Sequence, residues 1–533
     1  MYLELAVNNF VKDPATMKFV ILALFILPTV AFSQKQLVLL DELSFNSAFE
    51  KTVLTDHFLN RKTDLFLLFM ANGGLLNESA VAASKQKVTS FLTTYDNDKF
   101  AAKKNDKKVK TLYADIHEKF LTKYEDKNHF EDIFHRGYYN CVSATALYGI
   151  IFQELGIPFA IKESPQHVYL VAYPDQERLI VETTTPNSNF VLSVNPQLKE
   201  SFVRMLRDNK LITQSEFNSS STNALFDKYY FKDQSNITLV QLIGIQYANE
   251  GLYLLGEKQY AKAFGQFEKA YLFYPNERHG YLSMIAGAQA VNNRKNFDQN
   301  IATLLGKLSR YTSYGITEEM IKGDFQNGIQ ELLFDKGEKE QLAAFYDTLT
   351  SFVTDVAFKE ELSFQYNYEI GRFFYNQARY KDAISYFEKA VGLKPNHLQA
   401  TSIFISTASY TLRNKSNEEI LTSLEEYKEK HPALLQNNIF NEMLSLTYLK
   451  EFEQGYEAND PVRGEKYRVM FESFIKEHSD LQLDHYAIGK SYSAGVVYFF
   501  KKGQQSKARV LISQGMKVSP ENHELKMRSR MLN

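Results

Sequence analysis

Two segments in the second half of the sequence share one pattern: GLYLLGEKQYAKAFGQFEKAYLFYP (Gly251–Pro275) and GRFFYNQARYKDAISYFEKAVGLKP (Gly371–Pro395). Six residues of the first segment recur 120 positions later in the second: Gly251, Tyr260, Ala263, Phe267, Ala270 and Pro275. A weaker third copy ends the chain with Ala508, Ile512 and Pro520, although Gly515 replaces its second alanine. Small residues let two helices approach closely, aromatic residues fill the space between them, and a proline ends the second helix. The pattern therefore predicts pairs of packed helices.

The spacing within these copies resembles that of the tetratricopeptide repeat, a helix–turn–helix unit of about 34 residues. The offset of 120 residues is not a multiple of that length, so we expect degenerate or irregular helices between the copies, at residues 338–358 and 417–476. One repeat cannot bury its apolar face alone. The resemblance therefore implies that residues 238–533 stack as an all-α tetratricopeptide-like solenoid that binds a protein partner.

A different pattern occupies Gly137–Pro186, which contains Cys141, the only cysteine of the chain. Apolar residues at helical spacing follow Asn140, a preferred N-cap residue, and they predict a helix with Cys141 in its first turn. Three short runs predict strands, of which the last two should pair as an antiparallel hairpin: 159–161, 168–173 and 178–183.

This layout is expected to bring three reactive side chains together. A thiol in the first turn of a helix faces unpaired N–H groups and the positive end of the helix dipole, which favour the thiolate of Cys141. Neighbouring strands lie about 4.8 Å apart, so the hairpin can place His167 and Glu182 side by side, facing the helix tip. The sequence therefore predicts Cys141 as nucleophile, His167 as base and Glu182 as the group that orients the imidazole.

The same segment resembles the transglutaminase-like superfamily. The residues that carry the resemblance are Asn140-Cys141-Val142-Ser143-Ala144-Thr145, Leu155-Gly156-Ile157-Pro158, His167 and Val181-Glu182-Thr183-Thr184. The resemblance implies an α+β papain-like domain at residues 34–217, with Cys141, His167 and Glu182 at the catalytic positions. Two positions depart from the family: Glu182 replaces the usual aspartate, and Val142 replaces the aromatic residue that often follows the cysteine.

Other roles stay open for each of these residues. A lone cysteine is more often buried in a core than reactive, and a histidine at the start of a strand is more often structural. Glu182 would otherwise pair with Arg178 or Lys162. The Asn140 side chain is either an oxyanion donor, next to the backbone N–H of Cys141, or the N-cap of the helix alone.

Composition limits the possible partners. The chain of 533 residues has a formal net charge of −2, which offers no electrostatic attraction to nucleic acid or to an anionic membrane. His117, His129 and His135 are not spaced as a metal set with nearby thiols or carboxylates, so we expect no metal and no organic cofactor. The length favours more than one domain.

The N-terminus has the pattern of a secretory signal peptide. Lys18 precedes an apolar run, and small residues before Gln34 suit a cleavage site. The run is too short for a comfortable membrane span, with an uncleaved anchor as the alternative. We therefore expect an upstream extension at 1–16, a signal peptide at 17–33, export to the periplasm or the extracellular space, and no integral membrane span after cleavage.

Together these expectations describe an exported protein of two parts, a thiol domain at 34–217 and repeats at 238–533, joined by a linker at 218–237. The expected function is cysteine-dependent acyl transfer, as a peptidase-type hydrolysis of a protein or peptide amide, with the repeats binding a partner or the substrate. The alternative is a non-catalytic scaffold, in which the transglutaminase-like domain is inactive and the repeats bind a protein.

Overall fold

Helices dominate the structure, a computed structural model that describes residues 37–532 except 74–77, 165–166, 185–199, 201–202, 205–206, 208–211, 223 and 226–234. Helix accounts for 72% of the structure and strand for 5%. The expected upstream extension and signal peptide, residues 1–33, lie outside the described residues. Among the helices that are described, none has the length and apolar character needed to cross a membrane.

The α-helices fall into a front group, before residue 238, and a repeat group after it. The front group comprises α1 (Ala48–Phe58), α2 (Leu65–Ala71), α3 (Glu78–Thr93), α4 (Asp98–Ala101), α5 (Asn105–Phe120), α6 (Asp132–His135), α7 (Cys141–Glu154) and α8 (Gln214–Ser219). The repeat group comprises α9 (Leu239–Gly256), α10 (Tyr260–Phe273), α11 (Glu277–Asn292), α12 (Gln299–Leu308), α13 (Glu318–Ile329), α14 (Lys339–Phe352), α15 (Val356–Asn376), α16 (Tyr380–Leu393), α17 (Leu398–Leu412), α18 (Asn417–Lys430), α19 (Asn438–Glu457), α20 (Pro461–Glu477), α21 (His485–Lys501), α22 (Gln505–Val518) and α23 (His523–Leu532). Short 3-10 helices lie at Leu40–Glu42, Thr312–Tyr314 and Pro432–Gln436, and a π-helical turn follows α13 at Gln330–Asp335.

The strands are short and belong to the front of the chain. They are β1 (Lys123–Tyr124), β2 (Tyr138–Tyr139), β3 (Phe159–Ser164), β4 (His167–Ala172), β5 (Leu179–Val181) and β6 (Ser235–Ile237). β1 and β2 form a parallel pair, and the other four form an antiparallel sheet in the order β5-β4-β3-β6. In its centre, Ile161 lies opposite Leu170 of β4 on one side and opposite Ile237 of β6 on the other. Residues of the expected linker thus supply the fourth strand of this sheet.

The fold class expected for the front of the chain is wrong. The resemblance implied an α+β papain-like domain at residues 34–217, whereas the described part of that segment is mainly helical, and its largest sheet is small. The three predicted strands do form, close to their expected bounds. Local alternation of apolar residues is enough to predict a strand. The number of strands that join one sheet depends on pairing between distant segments, which local patterns do not contain.

The two strong copies of the sequence pattern fold as equivalent helix pairs, α9–α10 and α15–α16. In each pair a glycine of the first helix lies against a phenylalanine of the second. A Cβ at Gly251 would lie 2.6 Å from the ring of Phe267, and a Cβ at Gly371 would lie 2.7 Å from the ring of Phe387. Both rings are fully buried. The predicted packing of small residues against aromatic residues is therefore confirmed, and the repeat group is built from tetratricopeptide-like helix pairs.

The turns within the helix pairs share one backbone conformation. A positive φ occurs at Lys258 and Ala378 in the strong copies and at Gly503 in the weak third copy, α21–α22. Asn459, between α19 and α20, has a positive φ as well. This left-handed residue ends the first helix and lets the chain reverse into the second. α19–α20 is thus a further helix pair of the same kind. It lies almost wholly within residues 417–476, where we expected degenerate helices, and Gly464 and Arg468 stand where the strong copies have alanine and phenylalanine.

Buried ion pairs hold the N-terminal segment against the repeats. Glu50 of α1 accepts hydrogen bonds from the hydroxyl of Tyr247 at 3.0 Å and from the ammonium of Lys269 at 2.7 Å. All three side chains are buried. Arg310 donates two hydrogen bonds of 2.6 Å to the carboxylate of Glu42. A buried charge is tolerated only when it is paired, so these contacts fix where the segment docks.

Replacement of Gly251 by alanine tests the packing of the first helix pair. The new Cβ would lie 2.6 Å from the Phe267 ring, and neither helix can move away without repacking. We expect the free energy of unfolding to fall by about 1–3 kcal/mol, measured by urea denaturation. Gly323→Ala is the matched control, because Gly323 is a helical glycine with no neighbouring atom within 4 Å of the added carbon. It should be neutral or stabilise by about 0.5–1 kcal/mol, and equal effects of both substitutions would contradict the packing role.

Candidate functional site

Cys141 is the first residue of helix α7, and the cap in front of it sets its position. Asn140 has an extended backbone, and its Oδ1 accepts a hydrogen bond from the N–H of Ser143 at 2.9 Å. The hydroxyl of Ser143 accepts from the N–H of Asn140 at 2.9 Å, which completes a capping box. The cysteine is free and half-buried, so its thiol lies at the helix start within reach of solvent.

The sheet places the other two predicted site residues. β4 begins at His167 and pairs in antiparallel register with β5. Glu182 follows the last residue of β5 directly, so its side chain reaches the histidine on the neighbouring strand. Helix α7 is held against β4 by Thr145, whose hydroxyl donates a hydrogen bond to the carbonyl of Val168 at 3.3 Å. The thiol helix and the histidine strand are therefore fixed relative to each other.

His167 and Glu182 are directly hydrogen-bonded. The Nε2 atom of His167 lies 2.8 Å from Oε2 and 3.0 Å from Oε1 of Glu182. Oε1 also accepts from the hydroxyl of Thr184 at 2.7 Å and from its N–H at 3.1 Å. The thiol of Cys141 lies close enough to the same imidazole to raise the pKa of that ring. The structure brings the thiol, imidazole and carboxylate together in the predicted order.

These contacts determine the charges in the site. Burial alone would lower the pKa of His167, but hydrogen bonds with Cys141 and Glu182, and their charges, outweigh burial and raise the pKa to about 10. Burial would raise the pKa of Glu182, whereas hydrogen bonds with His167 and Thr184 lower it below its ordinary value. At neutral pH the ring is an imidazolium and Glu182 is a carboxylate, so Cys141 faces a positive charge.

The side chain of Asn140 forms hydrogen bonds with the start of helix α7 and with the loop that precedes it. Its Nδ2 donates a hydrogen bond to the carbonyl of Asp126 at 3.0 Å and a longer one to the carbonyl of Asn128 at 3.5 Å. The hydroxyl of Ser143 donates to Oδ1 of Asn128 at 3.2 Å. Asn140 therefore makes the contacts of an N-cap that also holds the preceding loop. Of the two roles left open by the sequence, N-cap and oxyanion donor, these contacts match the N-cap.

The sequence predicted no role for several residues that support the site: Thr184 and Thr145 entered only through the family resemblance, and Asn128 was not named. Thr184 had one local signal, because a hydroxyl two residues after a carboxylate can bond to it. Thr145 and Asn128 had none, since each bonds to a segment more than one turn away in the chain. Such contacts are set by packing and not by local pattern.

The remaining histidines named in the sequence do not gather around a metal. The Nδ1 atom of His117 lies 2.8 Å from the hydroxyl of Tyr148, and burial lowers the pKa of His117. The Nε2 atom of His129 lies 3.0 Å from Oε2 of Glu250. Across the part of the chain that the structure describes, no group of His, Cys, Asp or Glu side chains is arranged to hold a metal ion.

Comparisons with known proteins add little to this description. No family model matches the sequence, and no curated protein matches it. Among solved structures, the crystal structure of the P58(IPK) TPR domain at 2.5 Å matches with 10% identity over 63% of this chain and 97% of that chain, at a TM-score of 0.17. So low a TM-score carries no argument about this fold. The helix pairs themselves define the chain as a helical-repeat protein.

The charges of the site predict how stability depends on pH. The pKa of His167 is raised from 6.5 to about 10, so its stabilising contribution is complete below pH 6.5 and is lost as the pH rises through 10. The pKa of Glu182 is lowered from 4.5, so its contribution is present above that pH and is lost in acid. We therefore expect the difference in free energy of unfolding between wild type and His167→Gln to be largest between pH 4.5 and pH 6.5, the ordinary pKa values of the two groups. Urea denaturation from pH 4 to pH 10 measures it, and a difference that stays constant would contradict the assigned charges.

Proposed function

We propose that this helical-repeat protein performs thiol-dependent acyl transfer at Cys141. The observation that supports the proposal most directly is the pair of contacts between His167 and Glu182, at 2.8 and 3.0 Å. The thiol of Cys141 raises the pKa of the same imidazole. A carboxylate that orients the ring and keeps it charged is what a nucleophilic thiol requires. The proposal concerns this site and does not depend on a papain-like fold.

The reaction follows from these roles. The thiolate of Cys141 attacks the carbonyl carbon of an amide or ester and forms a C–S bond, while an electron pair moves to the carbonyl oxygen. As the pair returns, the C–N or C–O bond breaks, and the imidazolium of His167 gives its proton to the leaving amine or alcohol. Water then gives a proton to His167 and attacks the thioester. Loss of the thiolate from carbon releases the carboxylic acid, whereas a lysine amine in place of water would form a cross-link.

The negative charge on the carbonyl oxygen needs a hydrogen-bond donor. We assign this role to the backbone N–H of Cys141, at the N-terminus of α7, where the helix dipole also favours negative charge. The Asn140 amide is a weaker candidate, because its Nδ2 already bonds the carbonyl of Asp126. The attacked carbonyl must therefore approach along the axis of α7.

The substrate class that we propose is a protein or peptide, cleaved in a peptidase-type reaction after export. The apolar run behind Lys18 supports export. Solvent reaches the site, because Cys141 is half-buried and the His167 and Glu182 side chains are 32% and 31% exposed.

Alkylation of Cys141 tests the thiol function. We expect iodoacetamide to label wild type at pH 7 about tenfold faster, or more, than His167→Ala, because this substitution removes the positive charge beside the sulfur. Mass spectrometry of the intact chain measures the rate. His135→Ala is the matched control, since His135 is exposed and separate from the site, and it should label like wild type. Equal labelling of wild type and His167→Ala, at the rate of an ordinary thiol, would refute the proposal.

A non-catalytic binding scaffold is the second candidate, and a groove near the C-terminus favours it. The C-terminal groove lies between α20 and α22, with a cavity of about 1130 Å³, and its floor includes Tyr498 and Phe499 of α21. Its walls carry the exposed apolar residues Val462, Val469 and Val510. Exposed apolar surface of this kind is typical of protein-binding sites.

The charges of the C-terminal groove indicate what it binds. Lys466 and Lys507 line it from opposite walls. Within the described part of the chain, neither ammonium forms an ion pair, whereas Glu465 is paired with Arg468. The groove therefore offers apolar walls with two positive charges, which lie over the rings of Tyr467 and Phe499 and are not paired with a carboxylate among the described residues. We assign to it an amphipathic helical peptide with acidic residues, whose apolar face would contact the valines.

A synthetic amphipathic peptide of leucine and glutamate tests the C-terminal groove. We expect Lys466→Glu with Lys507→Glu to weaken binding of this peptide about tenfold or more, because attraction becomes repulsion. Fluorescence anisotropy at low salt measures the affinity. Lys381→Glu, at an exposed lysine of α16 outside the groove, is the control with the same type of charge change. Equal weakening by the control, or binding of a leucine–lysine peptide with the same affinity, would refute the assignment.

A further inference from the structure

The first repeat helix contacts a loop that also contacts the start of the thiol helix. Glu250 and Tyr253 of α9 and Glu257, the C-cap residue of this helix, are spaced three and four residues apart, so they follow one side of the helix. Each bonds a residue of the segment Asp126–His129, which we name the bridging loop. The loop lies between β1 and α6, shortly before the cap of α7.

The carbonyl oxygen of Asp126 is the central atom of this arrangement. It accepts a hydrogen bond from the hydroxyl of Tyr253 at 2.6 Å and another from Nδ2 of Asn140 at 3.0 Å. One oxygen thus links the repeat helix to the N-cap that directly precedes Cys141. Tyr253 is also near the thiol: burial raises the pKa of its hydroxyl, and the charges of Asp126 and Cys141 raise it further.

Two ion pairs also join the bridging loop to α9, and they differ in burial. The His129 and Glu250 side chains are 30% and 18% exposed, with 3.0 Å between Nε2 and Oε2. Burial would lower the pKa of His129, but its bond to Glu250 outweighs burial and raises it. The side chains of Lys127 and Glu257 are 54% and 47% exposed. Ion pairs this exposed contribute little to stability. The first pair therefore holds the loop more firmly than the second.

On the thiol side, the bridging loop is held by buried groups. Asn128 is 8% exposed, and its Oδ1 accepts a hydrogen bond from the hydroxyl of Ser143 at 3.2 Å. Because Cys141 lies between Asn140 and Ser143, a shift of the loop changes where the thiol points relative to His167. A misplacement of about 1 Å can lower a reaction rate about 100-fold.

We propose that Tyr253 and Glu250 are positioning residues for Cys141, and that the first helix of the repeats controls the reactivity of the thiol through the bridging loop. The inference rests on the proposed thiol function. The repeats then form part of the site. A ligand that displaces α9 changes the reaction rate at Cys141 without touching the thiol, because the bridging loop contacts both α9 and the start of α7.

Alkylation rates of the full-length chain test this inference. At pH 7, Tyr253→Phe should react with iodoacetamide about threefold to tenfold more slowly than wild type, since it loses one hydrogen bond and keeps its ring. Glu250→Gln should act in the same direction by a smaller factor. Glu257→Gln is the matched control, because Glu257 caps the C-terminus of α9 and contacts the same loop through an exposed pair, and it should react like wild type.

A second measurement separates positioning from general loosening. In a His167→Ala background, Tyr253→Phe should cause no further slowing, because no imidazole remains for the thiol to meet. Equal slowing in the His167→Ala background would overturn the inference. So would a Tyr253→Phe rate equal to that of wild type, if His167→Ala alone reacts slowly. Both outcomes leave the proposed function intact. If His167→Ala reacts as fast as wild type, the proposed function fails and the inference fails with it.

Discussion

The site depends on how closely helix α7 packs between the sheet and the first repeat helix. A Cβ at Gly149, in the middle of α7, would lie 2.6 Å from a methyl group of Leu239 in α9, so the two helices are in close contact there. On the sheet side, Thr145 bonds the backbone of the histidine strand. The same helix therefore carries the thiol, contacts the sheet and contacts the repeats. The packing of α7 therefore fixes the positions of the thiol, the sheet and the first repeat helix relative to one another.

Partial exposure explains why the carboxylates of this chain behave differently. Glu268 is paired with Lys307 in the interior, and burial raises the pKa of Glu268 to about 7 in spite of the lysine. Glu182 is less buried and accepts hydrogen bonds from His167 and Thr184, so its pKa falls. A charged group is stabilised when donors surround it and water still reaches it. The site beside Cys141 thus keeps its charges at neutral pH, and the interior pair serves to hold packed helices.

Much of the repeat group and the site could be predicted because the interacting residues lie close together along the chain. Gly251 and Phe267 belong to adjacent helices joined by a tight turn, so their spacing is visible in the residues alone. His167 and Glu182 lie on neighbouring strands of one hairpin. The sequence predicted only degenerate helices for the region of α19–α20, because the packing residues there differ from the pattern. The left-handed turn at Asn459 identifies these helices as a pair of the same kind.

The sequence by itself determined the local elements: the cap at Asn140, the strands around His167, and the paired helices with their small and aromatic residues. Tertiary structure alone decided that the strands at the front of the chain form only a small sheet, that residues 235–237 complete it, and that Tyr253 reaches the loop beside Cys141. The reason is physical. Caps, turns and helix faces depend on neighbours a few residues away, whereas sheet partners and helix contacts depend on which distant surfaces fit together.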